Sequence, residues 1–491
     1  MPIPPLKQLE HDVSLLTKAV RAEGDARLDD WSPWIGREAF RDSAANLAEY
    51  LALRSRDIRP LQRSLMVHGL SSVGRLESRV MPTLHAVGAV LKALNAGAPL
   101  EPVSSEEAFF IGEKRLAERT EEILGPSAAH RSVHLLVTCP SEAADGPDFM
   151  RKLAELGVEA IRINCAHDDA AAWKRMIDFA HAASLATGRP IKVLMDLAGP
   201  KIRTGAIHPL DGGKRIQLEE RLAIAAPGRL AEAPVGILAV ECTLPQALAA
   251  AKPEERVFID DGKLGTIVES VADWGIVVRV NASPDEDGYK LKEEKGVNFP
   301  DTDFQIPALT DKDVEDLSFI AAHADGIEFS FVQSEADVAL LHETLARIRP
   351  DWQKLSLVLK IETTRAIANL PEIVVRAAGR QPTAIMIARG DLAVEIGFAR
   401  LAEIQEEILW IGEAAQVPVI WATQVLEHLI KKGYPSRGEM TDAAMAARAE
   451  CVMLNKGPHL FEAITELDGL LARMGENQHK KTPMLRKLMS W

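Results

Sequence analysis

Glu362 and Asp391 each close a nearly pure apolar run, SLVLKIE (356–362) and AIMIARGD (384–391). Two carboxylates ending successive runs suit a hard divalent cation, which takes one or two such groups and completes its shell with substrate oxygens and water. Arg162, Arg203 and Lys360 supply the local positive field that an anionic phosphate or carboxylate needs in a chain whose net charge is −14. In the ARGD turn, Gly390 lets backbone N–H groups come close to an anionic oxygen. Metal ligands, cations and exposed amides together describe a site for phosphoryl transfer. Asn164, Asp196, Ser330, Arg389, Thr423 and Asn455 also end apolar runs. Buried charge is costly unless paired or bound to metal, so a set repeated over most of the runs is hard to read as scattered core-edge residues.

The elements that would position this set follow from the texture after His134, where short apolar runs alternate with amphipathic helical stretches. There are eight: 134–138, 159–164, 191–196, 326–332, 356–362, 384–391, 417–424 and 451–457. Eight βα units predict a closed α/β (β/α)₈ TIM barrel, whose site lies at the C-terminal ends of its strands. About 130 residues separate the third run from the fourth, and they hold short β-patterned runs such as RIQLEE, GILAVE, RVFIDDG and GIVVRV between Gly, Pro and Asp turns. This predicts a small β-barrel lid inserted at 206–298. The barrel is then 129–205 with 299–491, or 270 residues, near the usual size. Residues 1–128 are rich in helix formers, with Leu9, Val13, Leu16 and Val20 on one face, and predict a helical N-terminal region. The stretch HGLSSVGRLESR within it reads as a helix–helix connection.

The acidic balance argues against nucleic acid or an anionic membrane as the main partner. No stretch reaches the roughly 18 apolar residues of a membrane helix. No export signal is visible, and Cys139, Cys165, Cys242 and Cys451 form no C-x-x-C pair, so they read as reduced core thiols of a cytoplasmic protein.

Seven motifs between 129 and 457 then resemble, in family order, those of the pyruvate kinase family: IRINCAH (161–167), DLAGPKIRTG (196–205), DDGKLG (260–265), KGVNFP (295–300), LKIET (359–363), AIMIARGDLAVEI (384–396) and IWATQVLEHLIKKGYPSRGEMTDAAMA (420–446). The resemblance implies transfer of phosphate from phosphoenolpyruvate to ADP, giving pyruvate and ATP, in a homo-oligomer. It implies that Glu362 and Asp391 hold Mg²⁺ or Mn²⁺, that Lys360 stabilises the phosphoryl group in flight, and that Arg162 clamps phosphate from the other side. Thr423 would orient the proton delivered to the enolate, and Ser330 and Gly390 would join Lys360, Asp391 and Thr423 around the substrate. Asn164 and His167 would lie near the nucleotide phosphates, with Arg203 and Lys295 near the two hinges of the lid.

The departures from the family carry their own expectations. LNKGP stands where the family has L-S-G-E-T, so Asn455 replaces serine and Pro458 threonine. The chain ends soon after the eighth unit, which implies that the family's C-terminal regulatory domain is missing. Members that require K⁺ bind it at positions matching Asn164, Ala166, Asp196 and Leu197, and here two of the four lack side-chain oxygen. Lys201 stands where those members carry glutamate, and is expected to act as the monovalent-cation surrogate, so that K⁺ is not required. Two other readings are a phosphoenolpyruvate-binding barrel without turnover and another metal-dependent barrel that handles phosphoenolpyruvate or pyruvate, such as an aldolase or dikinase-like enzyme.

Overall fold

A computed structural model describes all residues except 1–3, 101–102, 211–212, 285–286, 305–306 and 484–491. All eight apolar runs become parallel strands: β1 (His134–Thr138), β2 (Ala160–Asn164), β3 (Lys192–Asp196), β4 (Gly326–Phe329), β5 (Ser356–Ile361), β6 (Thr383–Ala388), β7 (Val419–Ala422) and β8 (Cys451–Leu454). They pair in chain order and β8 returns to β1, closing the barrel. The strands are buried on both faces because helices cover the outside, with Arg162, Asn164 and Lys192 partly open, which is why the runs read as almost continuous apolar sequence.

The two-residue period of a strand then decides what faces inward. Leu136, Ala160, Leu194, Val358, Ala384, Ile420 and Cys451 form an apolar layer inside the barrel, while Leu135, Ile161, Val193, Leu357, Ile385 and Val419 belong to the core shared with the helices. Two residues further along, the inward positions include Thr138, Arg162, Asp196, Glu328 and Lys360, beside Met386, Ala422 and Met453. The site is the next rung above a dry floor.

The segment between β3 and β4 is a seven-stranded mixed sheet running from Thr204–His208 to Val297–Asn298, with its own apolar core. Its two edges are joined at a bridge between Arg203 and Gly296, beside the barrel. Of the expected runs, RIQLEE is strand only at Arg215–Ile216. Arg221–Ala225 and the longest strand, Leu264–Ala272, were not among them.

The N-terminal region is helical among the described residues, as its periodicity predicts, and it shares one core with the barrel. Helix Ile111–Leu124 ends with Ile123 and Leu124 fully buried against the inward-facing apolar layer, so it plugs the N-terminal end of the barrel. Asn46 ties the region down by donating to the carbonyls of Glu77 and Ala414, 2.7 and 2.8 Å away, and Ser43 Oγ donates to Gln416 at 2.6 Å. We propose three units with the boundaries given above, the first packed on the second rather than separate from it. Leu124→Ala should therefore cost about 2–5 kcal/mol, the range for a buried leucine that leaves a cavity. Urea unfolding checks this, and a loss below about 1 kcal/mol would place the side chain outside the barrel core.

Candidate active site

The C-terminal ends of the strands surround a cleft of about 320 Å³, lined by Arg162, Lys201, Lys360, Glu362, Gly390, Asp391 and Thr423, among others. Beneath it, the inward residues form a buried ionic network. Lys360 Nζ lies 3.0 Å from Asp196 Oδ1 and 3.3 Å from Glu362 Oε1, and donates to Ser330 Oγ at 2.6 Å. Arg162 donates to the second oxygen of Asp196, to Glu328 Oε2 through Nε at 3.1 Å and to Thr138 Oγ1 at 3.2 Å. Burial acts against the charge of Lys360, but Asp196 and Glu362 overcome it, and the ammonium is held more firmly than in free lysine. Burial also works against Asp196, whose carboxyl nevertheless stays below its ordinary value because Arg162 and Lys360 flank it. Both cations are thus fixed in the charged state and aimed by partners below them.

Local backbone conformation sets the carboxylates. Phe331, just past β4, adopts φ +56° and presents its N–H to Glu362 Oε2 at 2.6 Å. Left-handed conformation is rare for an aromatic residue, and strain of this kind collects at functional sites. Thr423 and Gln424, just past β7, have φ +70° and +59°. Asp391 sits in the first turn of helix Arg389–Ile396, where negative charge suits the helix dipole and the first N–H groups lack intrahelical partners. A Cβ at Gly390 would come within 2.9 Å of Thr423 Cγ2, so a larger residue there would displace the Thr423 side chain. Arg389 anchors this turn by donating to the carbonyls of Ala422 and Thr423, at 2.8 and 2.6 Å, and to Asp442. Asp442 is held in turn by helix Arg437–Ala446, which Ser436 and Glu439 start with a capping box.

Glu362 and Asp391 fit a divalent cation by the chemistry of their donors. Burial first and then the charge of Asp391 push the Glu362 carboxyl up, against the pull of Lys360, as expected for two carboxylates facing one space. Among the described residues no three or more His, Cys, Asp or Glu converge on one point. A cation here would complete its shell with substrate and water oxygens.

The remaining expected residues lie at the rim or away from the cleft. Asn164 Oδ1 accepts the Ala166 N–H at 2.9 Å, and the exposed His167 is on the same turn. Arg203 donates to the carbonyl of Glu294 at 3.1 Å, and Lys295 pairs with Asp260 at 3.1 Å, so both side chains are engaged within the inserted sheet and its hinge. Lys201 was expected near Asn164 and Asp196. Its ammonium instead meets both oxygens of Asp391, at 2.8 and 3.2 Å, because the hinge segment carries it toward helix Arg389–Ile396. Two residues of the site were not anticipated, Glu328 under Arg162 and Asp442 beside Arg389. Glu328 had a visible signal, a lone carboxylate two residues before Ser330 on the same inward face of GIEFSF.

The four cysteines are all free and buried. Among the described residues no helix is long and apolar enough to cross a membrane. Residues 125–458 match the family model for the pyruvate kinase barrel domain. The chain is similar to the pyruvate kinase of Mycobacterium tuberculosis, 31% identical over 354 residues that cover 70% of each chain. It is also similar to that of Methylorubrum extorquens, 32% identical over 348 residues covering 70% of this chain and 67% of the relative. A third, from Thermotoga maritima, is 30% identical over 354 residues and 70% of each chain.

Proposed function

The chain belongs to the pyruvate kinase family, and on that premise we propose that it transfers the phosphoryl group of phosphoenolpyruvate to ADP, giving pyruvate and ATP. The observation that carries this reading is the convergence of Lys360, Arg162, Glu362 and Asp391 on one cleft, above a network that fixes both cations. In this reading Glu362 and Asp391 would hold Mg²⁺ or Mn²⁺, which would supply positive charge to the phosphate and carboxylate oxygens. Lys360 and Arg162 hold the phosphoryl group from below and beside, with their reorganisation already done by Asp196, Ser330 and Glu328. The first-turn N–H groups at Gly390 and Asp391 face the substrate carboxylate, and Thr423 orients the proton that reaches the enolate carbon. Asn164 and His167 serve the nucleotide phosphates, while the inserted sheet, swinging at the Arg203–Gly296 hinge, closes over ADP and excludes water. Buried free thiols suit a reducing cytoplasm. The homo-oligomeric state rests on the resemblance alone.

We extend the proposal to activity without K⁺. Ala166 and Leu197 offer no side-chain oxygen, which leaves Asn164 and Asp196 as the side-chain donors, and Arg162 and Lys360 already flank Asp196. A dehydrated monovalent cation would be short of side-chain ligands there, and the fixed cations around Asp196 supply the positive charge. Pyruvate formation in tetramethylammonium buffer, with and without KCl at constant ionic strength, tests this. Equal rates are expected, and a tenfold or larger activation by K⁺ would sink it. Lys201→Glu should lower the rate with or without K⁺, because two carboxylates would then face each other where Lys201 now meets Asp391.

The altered LNKGP loop favours a second reading, in which phosphoenolpyruvate binds without turnover. Asn455 Oδ1 stands 3.5 Å from Thr138 Oγ1 at the cleft wall. Absence of pyruvate formation despite phosphoenolpyruvate binding would select it.

A further inference from the structure

Glu328 is fully buried in the middle of β4, and its carboxylate has one hydrogen-bonding neighbour, Arg162 Nε on Oε2. Oε1 has no partner among the described residues. A buried carboxylate oxygen without a donor is costly while the group is charged and much less so once it is neutral. Around the carboxyl stand Arg162 on β2, Asp196 on β3 and Lys360 on β5, with the thiol of Cys451 on β8 also within electrostatic reach. With Glu362 left to the metal, the buried network sets two cations, Arg162 and Lys360, against two carboxylates, Asp196 and Glu328. It is balanced while Glu328 is ionised, so an anionic phosphate drawn to Arg162 adds negative charge beside a carboxylate whose Oε1 has no donor among the described residues.

Resting on the reading of this cleft as a phosphoenolpyruvate site, we propose that Glu328 is a positioning residue that takes a proton from solvent onto Oε1 when phosphate settles against Arg162, while Oε2 goes on holding the guanidinium. The neutral acid keeps the acceptor that aims Arg162 and removes the like charge the incoming anion would meet. Burial, with the charge of Asp196 next, pushes this carboxyl up to about 7 against Arg162 and Lys360, so one more negative neighbour carries it across neutrality.

The test is calorimetric titration of the full chain with phosphoenolpyruvate and Mg²⁺, without ADP, slightly above neutral pH in buffers of different ionisation enthalpy. Wild type should take up about half a proton more per site than Glu328→Gln, since the ligand's own phosphate titrates identically in both and cancels in the difference. Equal proton uptake by the two proteins would overturn the proposal while leaving the phosphoenolpyruvate site intact. Failure of wild type to bind phosphoenolpyruvate would overturn the function and this inference together. If Glu328→Gln does not fold, the infrared difference spectrum of wild type decides. A protonated-carboxyl C=O band should appear on ligand addition, and its absence would reject the proposal.

Discussion

Replacing Lys360 by methionine is expected to lower turnover by about 10²–10³, the loss that follows removal of one preorganised group aimed at developing charge. Lys360 is placed by three contacts, to Asp196, Ser330 and Glu362, on a strand buried on both faces. Methionine fills most of the same channel. It also leaves Asp196 and Glu362 short of a counter-charge, and breaking a buried pair in this way can cost about 3–5 kcal/mol of stability. Asp196 keeps Arg162 and the Ser330 hydroxyl, and Glu362 keeps the Phe331 N–H, so the barrel should still close. Turnover measured beside circular dichroism and the urea midpoint separates the two effects. A folded variant that retained more than half the wild-type rate would remove Lys360 from the chemistry.

Glu362→Gln and Asp391→Asn should each weaken Mn²⁺ binding, measured by titration in the presence of oxalate. The amides keep an oxygen but lose the charge a hard cation needs. The loss should be at least the ~10–100-fold that removal of an outer-shell partner costs a metal site. Glutamine can still accept the Phe331 N–H, so Glu362→Gln should leave the β4–β5 junction in place. Unchanged dissociation constants in both variants would mean that the cation lies elsewhere.

The barrel was legible because the parallel strands, covered on both faces, leave runs of apolar residues with polar residues gathered toward their C-terminal ends. The helical region was legible for the complementary reason, a face repeating every three or four residues. The inserted sheet was harder. Leu264–Ala272 becomes exposed toward its end, at Ser270, Val271 and Ala272, and joins Gly275–Ala282 through a tight turn at Asp273–Trp274, so its pattern is weak on one side. Within the site, residues at strand ends could be picked out one at a time, but their partners could not. That Lys201 meets Asp391, or that Asp442 holds Arg389, depends on how segments 190 and 53 residues apart in sequence come together. The role of Ile123 and Leu124 was hidden for the same reason. They read as one face of a helix, and only the closed barrel shows what that face covers.

Stoichiometric amounts of enzyme, phosphoenolpyruvate and ADP with Mg²⁺, quenched over a time course and assayed for both products, put the central claim to its most direct test. Pyruvate and ATP should appear together in equal amounts within one turnover, with no K⁺ present. Bound phosphoenolpyruvate that persists unchanged, or pyruvate released with inorganic phosphate and no ATP, would contradict it.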